Sequence, residues 1–385
     1  MERLIKIISI SIIVILISCE GKEIEKVKLK THKPDSTNVE KIKKPYKKYT
    51  YDWGDTAIVS INYNNGTFAG LTQWKDIKTC SGTDSCQPII VKLNDKKRKV
   101  RKINVSDIIS TRNSTYNVKI QNNKFFVMYL QKKNRILKKI NLKNYKSKKY
   151  KLKRGNALAF GVDTSNNYYI SGSPGIKMTI YDKIKNVFSE NIHSSPKNFP
   201  ILKYNQNLEK NDSFGRWIYT GNIEKKRNLF YDITLNQRHI LCKNNHIFTC
   251  SFNYGFIEKY TLDGEFVEQL SLTSVSPIFN NMRNNISKDN NETIPSLDME
   301  IVDDKLFILF SGPVKALSGI CEYPKNKKHF IGITEIDISG NKIQKEKIYY
   351  YFPEKSKEYL QGFTMIDSKT FVLTTKEAFE FYKLK

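Results

Sequence analysis

The amino-acid sequence predicts an all-β protein built from repeated four-stranded meanders. Short runs rich in Val, Ile, Tyr, Phe and Thr recur from about residue 49 onward, and Asn, Asp, Gly or Lys residues separate them. Runs bounded by turn-forming residues in this way are strand and hairpin signals. Helical periodicity is hard to find over any window longer than about ten residues. We therefore expect strands along the whole folded part of the chain.

The clearest repeat covers residues 238–272. It contains four strand-like runs joined by three turns, and the last turn, Asp263-Gly264, is a strong hairpin signal. The same order of turns and strands recurs at 115–153, 157–192, 296–351 and 360–385. A four-stranded meander repeated about every 40 to 60 residues is typical of β-propeller blades. The sequence therefore predicts a β-propeller of six or seven blades over residues 49–385.

The last repeat predicts three strands where the others predict four. A propeller closes its ring when a strand from the other end of the chain completes the final blade, which removes an exposed sheet edge. The runs 48–53 and 57–61 are the two candidates for that strand. A sandwich or an open meander is the alternative fold, but neither gives a reason for the missing strand.

The N-terminus has the layout of a signal peptide. Its aliphatic stretch over 7–17 is shorter than the roughly 20 residues that span a bilayer core. The run Leu16-Ile17-Ser18-Cys19 that closes it resembles the lipobox of bacterial lipoproteins. That resemblance implies removal of residues 1–18 and attachment of acyl chains to Cys19. The alternatives are a secretory signal with an incidental cysteine and an uncleaved membrane anchor.

Residues 19–48 are rich in Lys, contain two Pro residues, and have no aromatic residue before Tyr46. This composition predicts a flexible tether between the lipidated cysteine and the folded body. Glu20 stands where some lipoproteins carry the Asp that retains them in the inner membrane. We therefore expect an outer-membrane lipoprotein that faces either the periplasm or the cell surface.

One resemblance covers most of residues 49–385. Strand pairs that end in an Asp and Gly pattern occur in 247–264 and 305–340. Together with the lipobox and the charged tether, they resemble the six-bladed TolB-like or NHL-like propeller lipoproteins of Gram-negative bacteria. The resemblance implies a propeller at the cell envelope. It leaves the activity open, because propellers include both enzymes and binding proteins.

The formal charge of +27 suggests an anionic partner. We expect no nucleic acid, because an exported chain rarely meets it and because AT-rich coding produces the same mixture of Lys, Asn, Ile and Tyr. The densest basic run, 132–154, contains no acidic residue. We favour a solvated sheet edge that lysines protect from pairing with other chains. An anionic partner, such as phosphorylated lipid headgroups or acidic polysaccharide, is the alternative.

The remaining cysteines suggest disulfides, since an oxidising compartment favours them. Cys80 and Cys86 flank a polar loop that a bridge would pin. Cys242 and Cys250 flank a predicted hairpin turn that would bring them opposite one another. Cys321 remains unpaired. Zinc ligation is the competing interpretation, but no CxxC pair is present.

Chemical motifs are sparse. The sequence contains no GxSxG elbow, P-loop or HExxH motif, so we predict no catalytic residue and no metal ligand. Asp298 and Glu300 alternate with apolar residues and share one strand face. They could line a propeller channel, although a solvated blade edge is the favoured interpretation. No cofactor is predicted, and calcium at the oxygen-rich segment 280–295 is the one alternative left open.

Two functions are compatible with these observations. We favour a monomeric, non-catalytic binding or scaffolding lipoprotein whose partner is an envelope protein, a peptide or a glycan. Its recognition surface would lie on the two longest insertions, Cys80–Cys86 and Ser311–His329, because loops on a rigid scaffold carry recognition. The alternative is a metal-dependent envelope hydrolase or lyase with its site in the propeller channel.

Overall fold

A computed structural model of the chain gives the fold. It describes residues 26–28, 38–53, 56–74, 84–105, 109–111, 117–131, 134–152, 159–171, 200–219, 238–251, 255–272, 278–279, 281, 296–324, 326–339, 344–352, 362–375 and 377–384.

Strands dominate the described residues, with one 3-10 helix at Val314–Leu317. In chain order the strands are β1 Lys26–Lys28, β2 Asn38–Lys41, β3 Lys47–Thr50, β4 Thr56–Asn64, β5 Thr67–Trp74, β6 Asp84–Asn94, β7 Lys99–Asn104, β8 Ile109–Thr111, β9 Asn117–Gln121, β10 Lys124–Gln131, β11 Asn134–Asn141, β12 Ser147–Leu152, β13 Phe160–Val162, β14 Tyr168–Ser171, β15 Ile201–Tyr204, β16 Lys210–Phe214, β17 Trp217–Tyr219, β18 Arg238–Lys243, β19 His246–Ser251, β20 Phe256–Thr261, β21 Phe266–Ser271, β22 Ser296–Val302, β23 Lys305–Pro313, β24 His329–Asp337, β25 Gln344–Tyr351, β26 Gly362–Asp367, β27 Thr370–Thr374 and β28 Ala378–Lys383.

Most of these strands form antiparallel four-stranded units, which we number in chain order. Units I to V are β4–β7, β9–β12, β13–β16, β18–β21 and β22–β25, and unit VI is β26–β28 completed by β3. Strand β8 pairs with β6 outside the main order of unit I. A single parallel bridge between Thr50 and Lys99 joins the outer strands of units VI and I.

The units are arranged as in a propeller. Their first strands lie side by side in the order β4, β9, β13, β18, β22, β26 and back to β4. Each pair of neighbouring units shares one buried apolar layer, as units I and II do around Leu71 and Val127, and as units VI and I do around Phe68 and Phe379. The prediction of an all-β, propeller-like fold is confirmed.

Hairpin turns connect the first two strands of each unit, and their residues explain why the turns form there. Asn122 and Asn123 adopt φ angles of 49° and 56°. Asn244 and Asn245 in unit IV, and Asp303 and Asp304 in unit V, repeat this left-handed pair. Asn and Asp tolerate that conformation, and a tight type I′ hairpin requires it at both central positions. The Asn and Asp pairs that marked turns in the sequence therefore mark them in the fold.

The predicted ring-closing strand is β3, the earlier of the two candidates. It pairs antiparallel with β28, so that Tyr49 lies opposite Phe379. Main-chain hydrogen bonds extend the pairing on both sides, from Tyr46 N to Phe381 O at 3.0 Å and from Tyr51 N to Glu377 O at 2.8 Å. An N-terminal strand thus completes the unit to which the C-terminus contributes three strands.

The tether prediction is wrong for part of 19–48. Strand β1 pairs in parallel with β17, and β2 pairs in parallel with β25 of unit V. Ile42 N then donates to Tyr350 O at 2.7 Å. These backbone hydrogen bonds come from strands far away in sequence, which composition cannot reveal.

The predicted disulfide between Cys242 and Cys250 is also wrong, because neither sulfur forms a disulfide bond. The hairpin places Cys242 opposite Ile247 and Cys250 opposite His239. The two cysteines therefore point to opposite faces of the sheet, Cys242 towards unit III and Cys250 into the layer shared with unit V. Cys80 and the side chain of Cys86 lie outside the described residues, as does Cys19. No described helix is long and apolar enough to cross a membrane.

Replacing Tyr49 by Ala tests the ring closure. The Tyr49 side chain is 1% exposed and its ring lies 5.4 Å from that of Phe381. Truncating a buried aromatic side chain should lower the free energy of unfolding by about 3–5 kcal/mol, measured by urea denaturation. Lys44→Ala, at an exposed position a few residues earlier, should leave it unchanged. Equal unfolding midpoints for the two variants would contradict the role of β3.

Candidate functional site

A cluster of polar side chains lies where the first strands of the units surround the channel. Asp298 and Glu300 stand on β22, and alternation along the strand places them on the face opposite Met299, which packs in the apolar layer of units IV and V. Asn62 comes from β4 and Lys119 from β9. Two further first strands separate β9 from β22 on either path around the ring, so the cluster joins opposite sides.

Glu300 is the centre of this cluster. Its Oε1 accepts a hydrogen bond from Asn62 Nδ2 at 2.7 Å and lies 3.9 Å from Lys119 Nζ. Asn62 Oδ1 in turn accepts from the backbone N of Ile120 at 2.8 Å. Lys119 Nζ also donates to the carbonyl of Met299 at 3.5 Å. One carboxylate thus ties together strands of units I, II and V.

Burial raises the pKa of both carboxyl groups, those of Asp298 and Glu300. Glu300 is 8% exposed, and burial raises its pKa to about 7, with Lys119 opposing that rise and Asp298 adding to it. Enclosure in the channel also raises the pKa of Asp298, and again Lys119 opposes the rise. A carboxyl removed from water favours its neutral form unless a cation or hydrogen bond compensates. Lys119 compensates only in part, so the pKa of Glu300 stays above its ordinary value.

The donor set does not fit a bound divalent cation. Calcium prefers six to eight oxygen ligands and zinc prefers three or four His, Cys or carboxylate ligands. The described part of the channel brings together two carboxylates and one amide, and no cluster of three or more His, Cys, Asp or Glu occurs among the described residues. The Lys119 ammonium stands where it would repel such an ion. The cluster is built as an internal ion pair.

Sequence reasoning found part of this cluster. Asp298 and Glu300 were identified as a pair on one face, but the favoured solvated edge is wrong for Glu300, which is buried. Asn62 and Lys119 were missed. Their only sequence signal is a polar residue between apolar neighbours in a first strand, such as Lys119 between Val118 and Ile120, and many exposed strands share that pattern.

A second buried ion pair lies away from the channel, between units III and IV. Arg238 is fully buried and hydrogen-bonds to Glu258 and to the carbonyl of Arg216. Tyr260 Oη donates to Glu258 Oε2 at 2.8 Å. Burial raises the pKa of Glu258, and Arg238 opposes that effect. Since the group links β18 to β20 within the interior, we assign it a structural role.

The insertion of unit V, predicted as a recognition loop, is built on a packed base. The 3-10 helix buries Val314, Ala316 and Leu317 in the apolar layer of units IV and V. Asn281 Nδ2 donates to the carbonyl of Ala316 at 3.0 Å. Ile320, Cys321 and Tyr323 pack against the same layer. The exposed positions of the insertion are Lys315, Ser318, Gly319, Glu322, Pro324, Asn326, Lys328 and His329. The loop Cys80–Cys86 falls mostly outside the described residues.

The chain matches no protein-family model and no curated protein. Among solved structures it is similar to a protein described as exported from Bacteroides fragilis, with 13% identity, a TM-score of 0.43, and coverage of 91% of this chain and 88% of that one. A member of the DUF4221 family from Bacteroides vulgatus shows 10% identity, a TM-score of 0.41, and coverage of 89% and 97%. Glutaminyl cyclase from Myxococcus xanthus shows 10% identity, a TM-score of 0.36, and coverage of 71% and 93%. Similarities this weak carry no functional inference.

The raised pKa of Glu300 predicts a pH-dependent stability. Because the folded pKa is about 7 and the unfolded value is 4.5, the native state holds this proton more tightly. The resulting stabilisation is fully present below about pH 4.5 and is lost as the pH rises through 7, by roughly 3 kcal/mol. Urea denaturation between these pH values should show the decline.

Glu300→Gln should remove most of that decline, since the amide keeps an acceptor for Asn62 and carries no charge. The matched control is Glu322→Gln at an exposed position, which should retain the wild-type pH profile. A wild-type profile in the Glu300 variant would show that this carboxyl is ionised and well solvated in the native state.

Proposed function

We propose that this chain is a lipid-anchored envelope protein whose six-bladed propeller binds a partner without transforming it. Each of the six four-stranded units is taken as one blade, and β3 closes the ring as the outer strand of the last. This blade count agrees with the TolB-like or NHL-like resemblance. The proposed anchor is Cys19 at the outer membrane, and the proposed partner is an envelope protein, a peptide or a glycan.

The observation that carries the binding function is the construction of the unit V insertion. Its base is fixed by three buried apolar side chains, while its tip exposes charged and polar groups. A preorganised loop loses little conformational entropy when a partner binds. Recognition on such a loop is the usual use of a rigid all-β scaffold.

The channel supports the same conclusion. Its buried carboxylate is already hydrogen-bonded to Asn62 and faces Lys119. Opening this cluster for a substrate would leave buried charges unpaired, which costs several kcal/mol. The channel residues therefore hold the ring together.

Metabolic labelling with a palmitate analogue tests the anchor. The wild-type chain and Cys321→Ala should both carry the label in the membrane fraction, while Cys19→Ala should carry none, because acylation needs the thiol of Cys19. The Cys321 variant controls for nonspecific labelling of another thiol. Label retained on Cys19→Ala would overturn the proposed lipidation.

Cross-linking in intact cells tests the recognition surface. Replacing Lys315, Glu322 and Asn326 by Ala should abolish a defined cross-linked species that the wild type forms, because the loop tip loses its polar groups. The control triple variant replaces Lys210, Glu265 and Asn207, which are exposed elsewhere on the ring. If both variants give the wild-type species, the insertion is not the binding surface.

A further inference from the structure

The outer edge of unit II is a lysine-rich strand. Lys148, Lys149 and Lys151 on β12 are all exposed. The turn that precedes the strand adds Lys143 and Lys146, also exposed. Because β12 pairs only with β11 among the strands that the structure describes, these lysines occupy the outer edge of the unit. The predicted solvated edge is therefore present, and its charge is concentrated on one strand and one turn.

Unit I carries a second basic edge beside the first. The exposed basic residues of its outer hairpin are Lys92, Lys96, Lys97, Arg98, Lys99 and Arg101. Units I and II share an apolar layer that contains Ile90 and Ile136, and sheets that pack in this way lie about 10 Å apart. The two edges therefore form one broad basic surface on the wall of the ring.

Acidic residues neutralise this surface only in part, with Asp52 and Glu377 lying beside Lys99. Within the two described segments that carry it, 92–104 and 134–152, Asp95 is the one acid, and it is engaged by Lys47 and the hydroxyl of Tyr49. Burial lowers the pKa of Lys139, and the nearby ammonium groups of Lys124 and Lys148 lower it further. Lys124 and Lys148 therefore lie close enough to Lys139 to disfavour its positive charge.

An aromatic side chain projects from the middle of this basic surface. Tyr145 is 43% exposed and adopts a left-handed φ of 58° at the tip of the turn between Lys143 and Lys146. Tyr is enriched where proteins meet the headgroup level of a bilayer, and lysines are attracted to anionic headgroups. Soluble acidic polymers satisfy the lysines but give no reason for an exposed ring.

We propose that the surface formed by the outer edges of units I and II docks on an anionic bilayer through its phosphate headgroups. The choice of a bilayer rests in part on the proposed lipid anchor. Lys26 in β1 follows Cys19 by seven residues, which span at most about 25 Å. An acylated Cys19 would therefore keep the ring close enough for its wall to reach the headgroups.

Vesicle co-sedimentation of the full chain carrying Cys19→Ala tests this docking without the acyl group. The probes are vesicles of phosphatidylcholine alone and vesicles with about one-third phosphatidylglycerol, at about 0.1 M salt. The apolar N-terminal run contributes equally to both, so their difference reports the electrostatic attraction of the whole chain, which the lysine variants then assign to a surface. We expect stronger partition to the anionic vesicles and its loss at high salt.

Replacing Lys148, Lys149 and Lys151 by Gln should lower partition to anionic vesicles about 100-fold, since each lysine near such a surface contributes roughly fivefold. The control variant replaces Lys210, Lys328 and Lys369, which are exposed on other units, and should change partition less than about threefold. Tyr145→Ala, which leaves the net charge intact, should also weaken binding. Far-ultraviolet circular dichroism verifies folding of each variant.

Three results would overturn the docking. These are equal partition to neutral and anionic vesicles, an equal loss in the control variant, and retention on dextran sulfate that the lysine triple abolishes while vesicles fail to bind. The last result would assign the surface to a soluble acidic polymer. Because no arm requires acylation, failure of the palmitate labelling at Cys19 would leave the vesicle result to be judged independently.

Discussion

The structure depends on the addition of β3 to β28. Every neighbouring pair of units shares an apolar layer, and the layer between units VI and I includes Tyr49 from β3 together with Phe68 and Phe379. Without β3, unit VI would end on an open edge of unpaired backbone groups, and part of this layer would be exposed. Closure therefore couples the two ends of the chain. A residue near position 49 stabilises strands that are more than 300 positions away.

Local turn chemistry made the fold predictable, and long-range pairing limited what could be predicted. Asn244 and Asn245 supply the positive φ angles of a tight hairpin from their own side-chain properties, so sequence alone locates the turn. The disulfide prediction for Cys242 and Cys250 failed because of the strand register. The turn lies between the two cysteines, but they are not paired across the hairpin, and their side chains point to opposite faces of the sheet. Strand β2 was missed because its partner, β25, lies some 300 residues further along.

Only the part of the candidate site that lies on a single strand, β22, was predictable from the sequence. Alternation along β22 puts Asp298 and Glu300 on one face, and that follows from a strand's period of two. Their burial does not follow from it, because Asn62 and Lys119 come from other units and meet Glu300 only when the ring is closed. A lysine in a chain so rich in lysine also carries little information in sequence. Position in the ring, rather than residue type, separates Lys119 from the exposed lysines of β12.

Lysine thus has two different energetic roles in this protein. Lys119 is largely buried beside Glu300, where separating the pair would leave an uncompensated charge at a cost of several kcal/mol. The β12 lysines are solvated, and each contributes little to stability. Together they produce a positive electrostatic potential, which salt screens beyond about 10 Å. Their effect needs a partner that presents many negative charges in one plane, which a bilayer does and a single acidic side chain does not. The pairing of β1 with β17 and of β2 with unit V strengthens this reasoning, since it shortens the free chain that would follow an acylated Cys19. A short connection holds the basic wall within reach of the headgroups, whereas a tether over all of 19–48 would let the ring diffuse away from them.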